Sequence, residues 1–229
     1  MQTAPRPARC LAVAMLALAA AAQAQDRFGD APRSAGPSGP SPAAARPAPA
    51  AAPDGPAAAA RPGAPDALAR LEAHERQDLG VAPPAALHAG QMHGPTPASL
   101  PGGRLVTTRE LATLLRGGGA QGGALVFDVL GGAEQLPGAL MAVPAHQPGS
   151  FDDAVQREFG RFLQQVTQGR QDRPLVFYCA STQCWMSYNA ALRAVRLGYR
   201  QVLWYRGGIE AWKQAGLPLQ AAGMAAAPR

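Results

Sequence analysis

Three short runs of almost uniformly apolar residues, at 124–129 (ALVFDV), 174–178 (PLVFY) and 201–205 (QVLWY), are separated by segments with helical periodicity. Runs this short and this apolar suit strands buried on both faces, because a sheet with one wet face alternates apolar and polar side chains. Helices are predicted at 109–116, with Leu111, Leu114 and Leu115 inward and Thr107 or Thr108 as cap, and at 151–166. The second has Val155, Phe159, Phe162 and Leu163 as its apolar stripe and Ser150 or Asp152 near its start. Two more follow at 185–197, stopped by Gly198, and at 209–215, closed by Gly216 and Pro218, and a further short strand falls near 141–143. Strands alternating with helices at these lengths imply an α/β fold, an open parallel sheet with helices on both faces. Ligands on such sheets bind beyond the carboxyl ends of the strands.

The rest of the chain cannot build a second core. Gly and Pro number 26 and 23 in 229 residues, most of the Pro lies before residue 102, and alanine supplies much of the apolar content there. Residues 1–24 read as a secretory signal, with Arg6 and Arg9 before an apolar stretch and Ala22-Gln23-Ala24 as cleavage site. That stretch is too short to span a bilayer, so no transmembrane span is expected in the mature protein. Residues 25–65 read as a disordered Pro/Ala-rich tether. Residues 66–101 comprise a short helix at 66–77, with Asp66 as candidate N-cap, and an irregular Pro-rich arm at 81–101. The folded domain is expected over 102–222, and 223–229 as a flexible tail.

A net charge of +6 and a pI of about 9.9 do not argue for nucleic acid, because the arginines are scattered and form no run. The histidines, His74, His88, His93 and His146, have no metal-ligand spacing and read as surface residues, so neither metal nor cofactor is expected.

After cleavage the chain keeps Cys179 and Cys184. Cys179 closes the 174–178 strand and precedes Ala180-Ser181-Thr182-Gln183-Cys184-Trp185 at the start of the next helix. A thiol at a strand end, facing loop amides and a helix N-terminus, sits where an anion is favoured, and such a loop can also cradle a persulfide. In an exported compartment the competing expectation is a Cys179–Cys184 disulfide. Closing so small a loop would add at most roughly 2–3 kcal/mol, a weak staple for a domain with its own core. Thiol–disulfide exchange of the thioredoxin kind usually needs two residues between the cysteines, whereas here four intervene.

Leu125-Val126-Phe127-Asp128-Val129, Pro137-Gly138-Ala139, Val176-Phe177-Tyr178-Cys179 and the ending Gly198-Tyr199, Val202, Gly207-Gly208-Ile209, Trp212, Gly216-Leu217-Pro218 resemble, in order and spacing, the landmarks of a rhodanese-like domain. The resemblance implies a sulfurtransferase. Cys179 would be the nucleophile that forms a persulfide, Ala180, Ser181, Thr182, Gln183 and Trp185 its binding loop, and the partners a small sulfur donor or a thiol acceptor. Catalytic members carry a glycine and an arginine where this loop has Thr182 and Cys184, and an arginine where Leu130 stands, so anion contacts for thiosulfate are missing. Arg206 is the arginine expected near the same mouth, and Asp128 either organises the site or caps loop amides.

Cys184-Trp185-Met186-Ser187-Tyr188-Asn189-Ala190 is further similar to a periplasmic Cys-Trp subgroup associated with pyrroloquinoline-quinone-dependent alcohol oxidation. That subgroup places two residues between its cysteines, and Ser181 stands in place of the first. Two functions follow: a periplasmic sulfurtransferase with Cys184 as resolving cysteine, or a disulfide-closed accessory module that binds a periplasmic protein.

Overall fold

The computed structural model describes residues 64–117 and 123–223. The signal expected at 1–24, most of the tether expected at 25–65 and most of the tail expected at 223–229 lie outside the described residues. Helix α1 (Ala64–Arg76) begins inside the expected tether, which puts Asp66 in its first turn and not at the cap. The chain then runs without regular structure to β1 (Arg104–Val106), followed by α2 (Thr108–Gly117), β2 (Leu125–Asp128), β3 (Glu134–Gln135) and β4 (Leu140–Met141). A 3₁₀ turn (Val143–His146) leads to α3 (Ala154–Thr167), β5 (Leu175–Tyr178), α4 (Met186–Arg196), β6 (Val202–Tyr205), α5 (Gly208–Gln214) and β7 (Gln220–Ala221).

The main sheet has the order β1-β6-β5-β2-β4, and all its pairings are parallel. Alternate side chains of its central strands enter two cores. Phe127, Leu175, Phe177 and Trp204 pack with Phe159, Leu163, Tyr188 and Leu192 of α3 and α4. Val126, Val176, Tyr178, Leu203 and Tyr205 pack with Leu111, Ile209 and Trp212 of α2 and α5. Burial on both faces is why these strands read as continuous apolar runs. Phe127 and Phe177, neighbours in register, stack at 4.9 Å between ring centroids.

Three details depart from expectation. β1 and the two-residue antiparallel pair β3–β7 carry too few residues to show a period. The cap of α3 is Asp153, not Ser150 or Asp152: its Oδ1 accepts from Gln156 N at 2.7 Å and its Oδ2 from Ser150 N. Buried Arg193 then grips Asp153 through both guanidinium Nη atoms, at 3.0 and 2.9 Å, and α4 is fastened to the start of α3.

Candidate active site

Cys179 follows β5, the central strand, at the carboxyl edge of the sheet. Its carbonyl accepts from Ile209 N, and that of Ala180 from Glu210 N, so the loop sits on the first turn of α5. This approach needs Gly208. Its φ is +64°, and a Cβ there would collide with the Cys179 and Ala180 carbonyls. Cys184 N turns back to Ser181 O at 3.1 Å and brings the second cysteine under the first. The two sulfurs are bonded, with Cα atoms 6.4 Å apart. Cys179 is 1% and Cys184 0% exposed.

That burial comes from the arm. Gly94 N donates to Gln183 O, Trp185 N to Met92 O, and Thr96 Oγ1 to Thr182 O, while His93 pairs with Cys184 in a single antiparallel bridge. His88 stacks on Trp185 at 4.0 Å, so it is part of the site's cover and not the surface histidine expected. Asn189, fully buried on α4, donates to His88 O and His146 O and accepts from His88 N. Trp185 thus packs between the arm and Tyr188, whose hydroxyl donates to Pro84 O. Thr182 is buried and its hydroxyl meets His74 Nε2 of α1 at 3.2 Å.

Three of the loop amides expected around the sulfur are taken up elsewhere. The amides of Gln183, Cys184 and Trp185 are committed to Ser181 Oγ, Ser181 O and Met92 O, because loop and arm satisfy each other's backbone. Cys179 Sγ instead meets the Ser187 hydroxyl at 3.0 Å, and the Trp204 indole N–H donates to the same oxygen at 3.0 Å.

Asp128 caps the turn after β2: Oδ1 accepts from Leu130 N and Gly131 N, and burial pushes its carboxyl up against the pull of those amides. Arg206 does follow β6 at the sheet mouth, but its guanidinium faces the arm. Nε and Nη2 donate to Thr96 Oγ1 and O, and Nη1 to the Glu75 and Gln77 carbonyls. It anchors the cover and is not placed to hold a substrate anion.

Glu75, 0% exposed, receives Thr108 N and the Thr108 hydroxyl, which also meets Tyr205 OH at 2.7 Å. Ser187, Asn189 and Glu75 escaped sequence reasoning. The usable signal for the first two was a pair of polar residues, Ser187 and Asn189, inside an otherwise apolar helical segment.

Among the described residues no helix is long and apolar enough to cross a membrane, and no group of three His, Cys, Asp or Glu could hold a metal ion.

Cys179 therefore follows the central strand at the carboxyl edge of the sheet and opens the loop that leads into α4. The Rhodanese-like domain family matches residues 107–215. A sulfurtransferase of Allochromatium vinosum is 37% identical over 73 residues, 32% of this chain and 66% of that protein. Two solved structures also align. A Rhodopseudomonas palustris protein of unknown function, described as a possible tyrosine phosphatase, is 22% identical over 51% of this chain and 84% of its own, with a TM-score of 0.36. A Saccharomyces cerevisiae homologue of single-domain rhodanese and the Cdc25 phosphatase catalytic domain is 20% identical over 50% and 82%, also with a TM-score of 0.36. Residues 107–215 are a rhodanese-like domain.

Proposed function

We propose that this domain is a sulfurtransferase in which Cys179 carries a sulfane sulfur and Cys184 discharges it. The observation that carries the reading is the bond between the two sulfurs at the carboxyl end of the central strand. In the reduced protein the Cys179 thiolate attacks the outer sulfur of a persulfide or thiosulfonate donor. The new S–S bond makes Cys179 a persulfide, and the donor leaves as thiolate or sulfinate. The Cys184 thiol then attacks the inner sulfur, Cys179 Sγ, and expels hydrosulfide, which carries away the Cys184 proton. The persulfide sulfur is reduced, the two cysteines are oxidised, and the product is the disulfide present here. A dithiol reductant restores the pair.

Arg206 is committed to the arm and Leu130 and Cys184 occupy arginine positions, so a donor that needs no cationic cradle, such as a protein or low-molecular-weight persulfide, fits better than thiosulfate. The oxidised pair also suits an exported, periplasmic setting, which we propose from the signal-like residues 1–24.

Burial of both cysteines favours a second reading, a disulfide-closed accessory module whose arm and loop serve a periplasmic protein partner, in the manner of the quinone-associated subgroup. Peptide-resolved mass spectrometry separates the two. The reduced chain, given a persulfide donor, gains one sulfur on the Cys179 peptide if it is a carrier, and Cys184→Ser retains that sulfur. A reduced chain that takes no sulfur from any donor is the accessory module.

A further inference from the structure

On the proposed sulfur chemistry rests one further assignment. We infer that Ser187 is a catalytic residue: its hydroxyl donates to Cys179 Sγ, held in that orientation by the Trp204 indole, and makes Cys179 the thiolate and leaving sulfur of the pair. In the disulfide neither sulfur has a proton, so across the 3.0 Å contact the hydroxyl is the donor. The indole nitrogen is donor-only, and its N–H already occupies a lone pair of Ser187 Oγ. The single hydroxyl proton is therefore free to point at sulfur. Ser187 is 1% and Trp204 0% exposed, so water does not compete for either group.

Other polar groups on the elements packed around the pair are bonded elsewhere, and His93, paired opposite Cys184, is exposed. His74 meets Thr182 Oγ1, His88 Nε2 meets Gln91 O, Tyr188 OH donates to Pro84 O, and Tyr205 OH meets Thr108 Oγ1. Arg206 is turned to the arm, Asp128 to its own turn, and Glu75 to Thr108. Cys184 O lies 3.2 Å from Cys179 Sγ and can accept from the neutral thiol, which leaves Ser187 as the side chain that favours the thiolate.

The electron flow acquires a direction from this. When a thiolate reductant attacks, it bonds to Cys184 Sγ, the S–S bond breaks, and Cys179 leaves as a thiolate that accepts the Ser187 hydrogen bond. A mixed disulfide on Cys184 and a free Cys179 thiolate result.

Two measurements test the assignment without any sulfur donor. The first is the ultraviolet absorbance of the Cys179 thiolate against pH in a Cys10→Ser, Cys184→Ser chain. Adding Ser187→Ala should raise the midpoint by about one unit, as expected for loss of a hydrogen bond to a charged group. Trp204→Phe should raise it less, and Ser187→Thr, which keeps the hydroxyl, should leave it near the parent. An unmoved midpoint in folded Ser187→Ala overturns the assignment. The second uses the unsubstituted chain with limiting glutathione, where peptide mapping should find the tripeptide on Cys184. Glutathione found on Cys179 overturns it as well. A chain that passes both tests yet takes up no persulfide sulfur keeps this assignment and loses the proposed transfer.

Discussion

Replacing Arg206 with methionine should release the arm and leave the rhodanese-like domain folded. Methionine fills much of the arginine volume but removes four hydrogen bonds, to Thr96 Oγ1 at 3.0 Å, Thr96 O at 2.7 Å, Glu75 O at 2.9 Å and Gln77 O at 2.7 Å. Three of these acceptors are backbone carbonyls, and with the arm docked they would lack the guanidinium donor. Lifting the arm into water hydrates them, so the loss is capped at the cost of undocking. A hydrogen bond to a charged group contributes about 1.5–3 kcal/mol, so losing four of them should cost the docked arm at least about 3 kcal/mol. At about 1.4 kcal/mol per tenfold, the open population should rise roughly a hundredfold or more. Hydrogen exchange at Gly94 N and Trp185 N, the two backbone bonds between arm and loop, reads this directly. Because the sulfurs are covered by the same segment, reduction of the Cys179–Cys184 bond by a dithiol should accelerate by a similar factor. Uniform loss of protection across β2, β5 and β6, with the arm amides opening no more than the core, would refute the idea that the arm is a separable cover.

Gly208→Ala should cost at least about 1–2 kcal/mol from its left-handed backbone alone, and more from collision with the Cys179 and Ala180 carbonyls; thermal unfolding with exchange at Ile209 N measures both. Phe177→Ala, which empties a fully buried site stacked on Phe127, should lower stability by about 3–5 kcal/mol in urea titration. Burial raises the Glu75 carboxyl above its ordinary value of 4.5, against the opposing Thr108 bonds. The docked state therefore holds that proton to higher pH than the undocked state. Docking of α1 is strongest below 4.5 and weakens as pH rises through the elevated value, and exchange at Thr108 N followed against pH should show this slope in the parent chain and lose it in Glu75→Gln.

The strands β2, β5 and β6 were legible because burial on two faces leaves a run of apolar residues with no polar interruption. The helices α2 and α3 announced themselves by their leucine and phenylalanine spacing. β1 was not legible: Arg104-Leu105-Val106 is three residues long and follows Pro101-Gly102-Gly103, and only its partner in β6 makes it a strand. Cys179 at a strand end, and Cys184 as its companion, followed from the order of strand, loop and helix. What surrounds them did not. Pro spacing in 81–101 excludes helix and sheet but carries no record of where the segment lies, and its docking depends on Asn189 and Arg206, each about a hundred residues away in sequence. For the same reason Arg206 could be placed at the sheet mouth while the direction of its guanidinium could not. Ser187 was visible only as a polar residue in an apolar helix face, and its role depends on Trp204 from a different strand.

The most direct test of sulfur transfer followed by discharge is a single turnover of the reduced chain with one equivalent of a persulfide donor, with released sulfide and the Cys179–Cys184 disulfide counted together. The parent chain should release one sulfide per disulfide formed, Cys184→Ser should keep a stable Cys179 persulfide without releasing sulfide, and Cys179→Ser should give neither product. Disulfide formation without sulfide, or sulfide release that persists in Cys179→Ser, would contradict transfer followed by discharge.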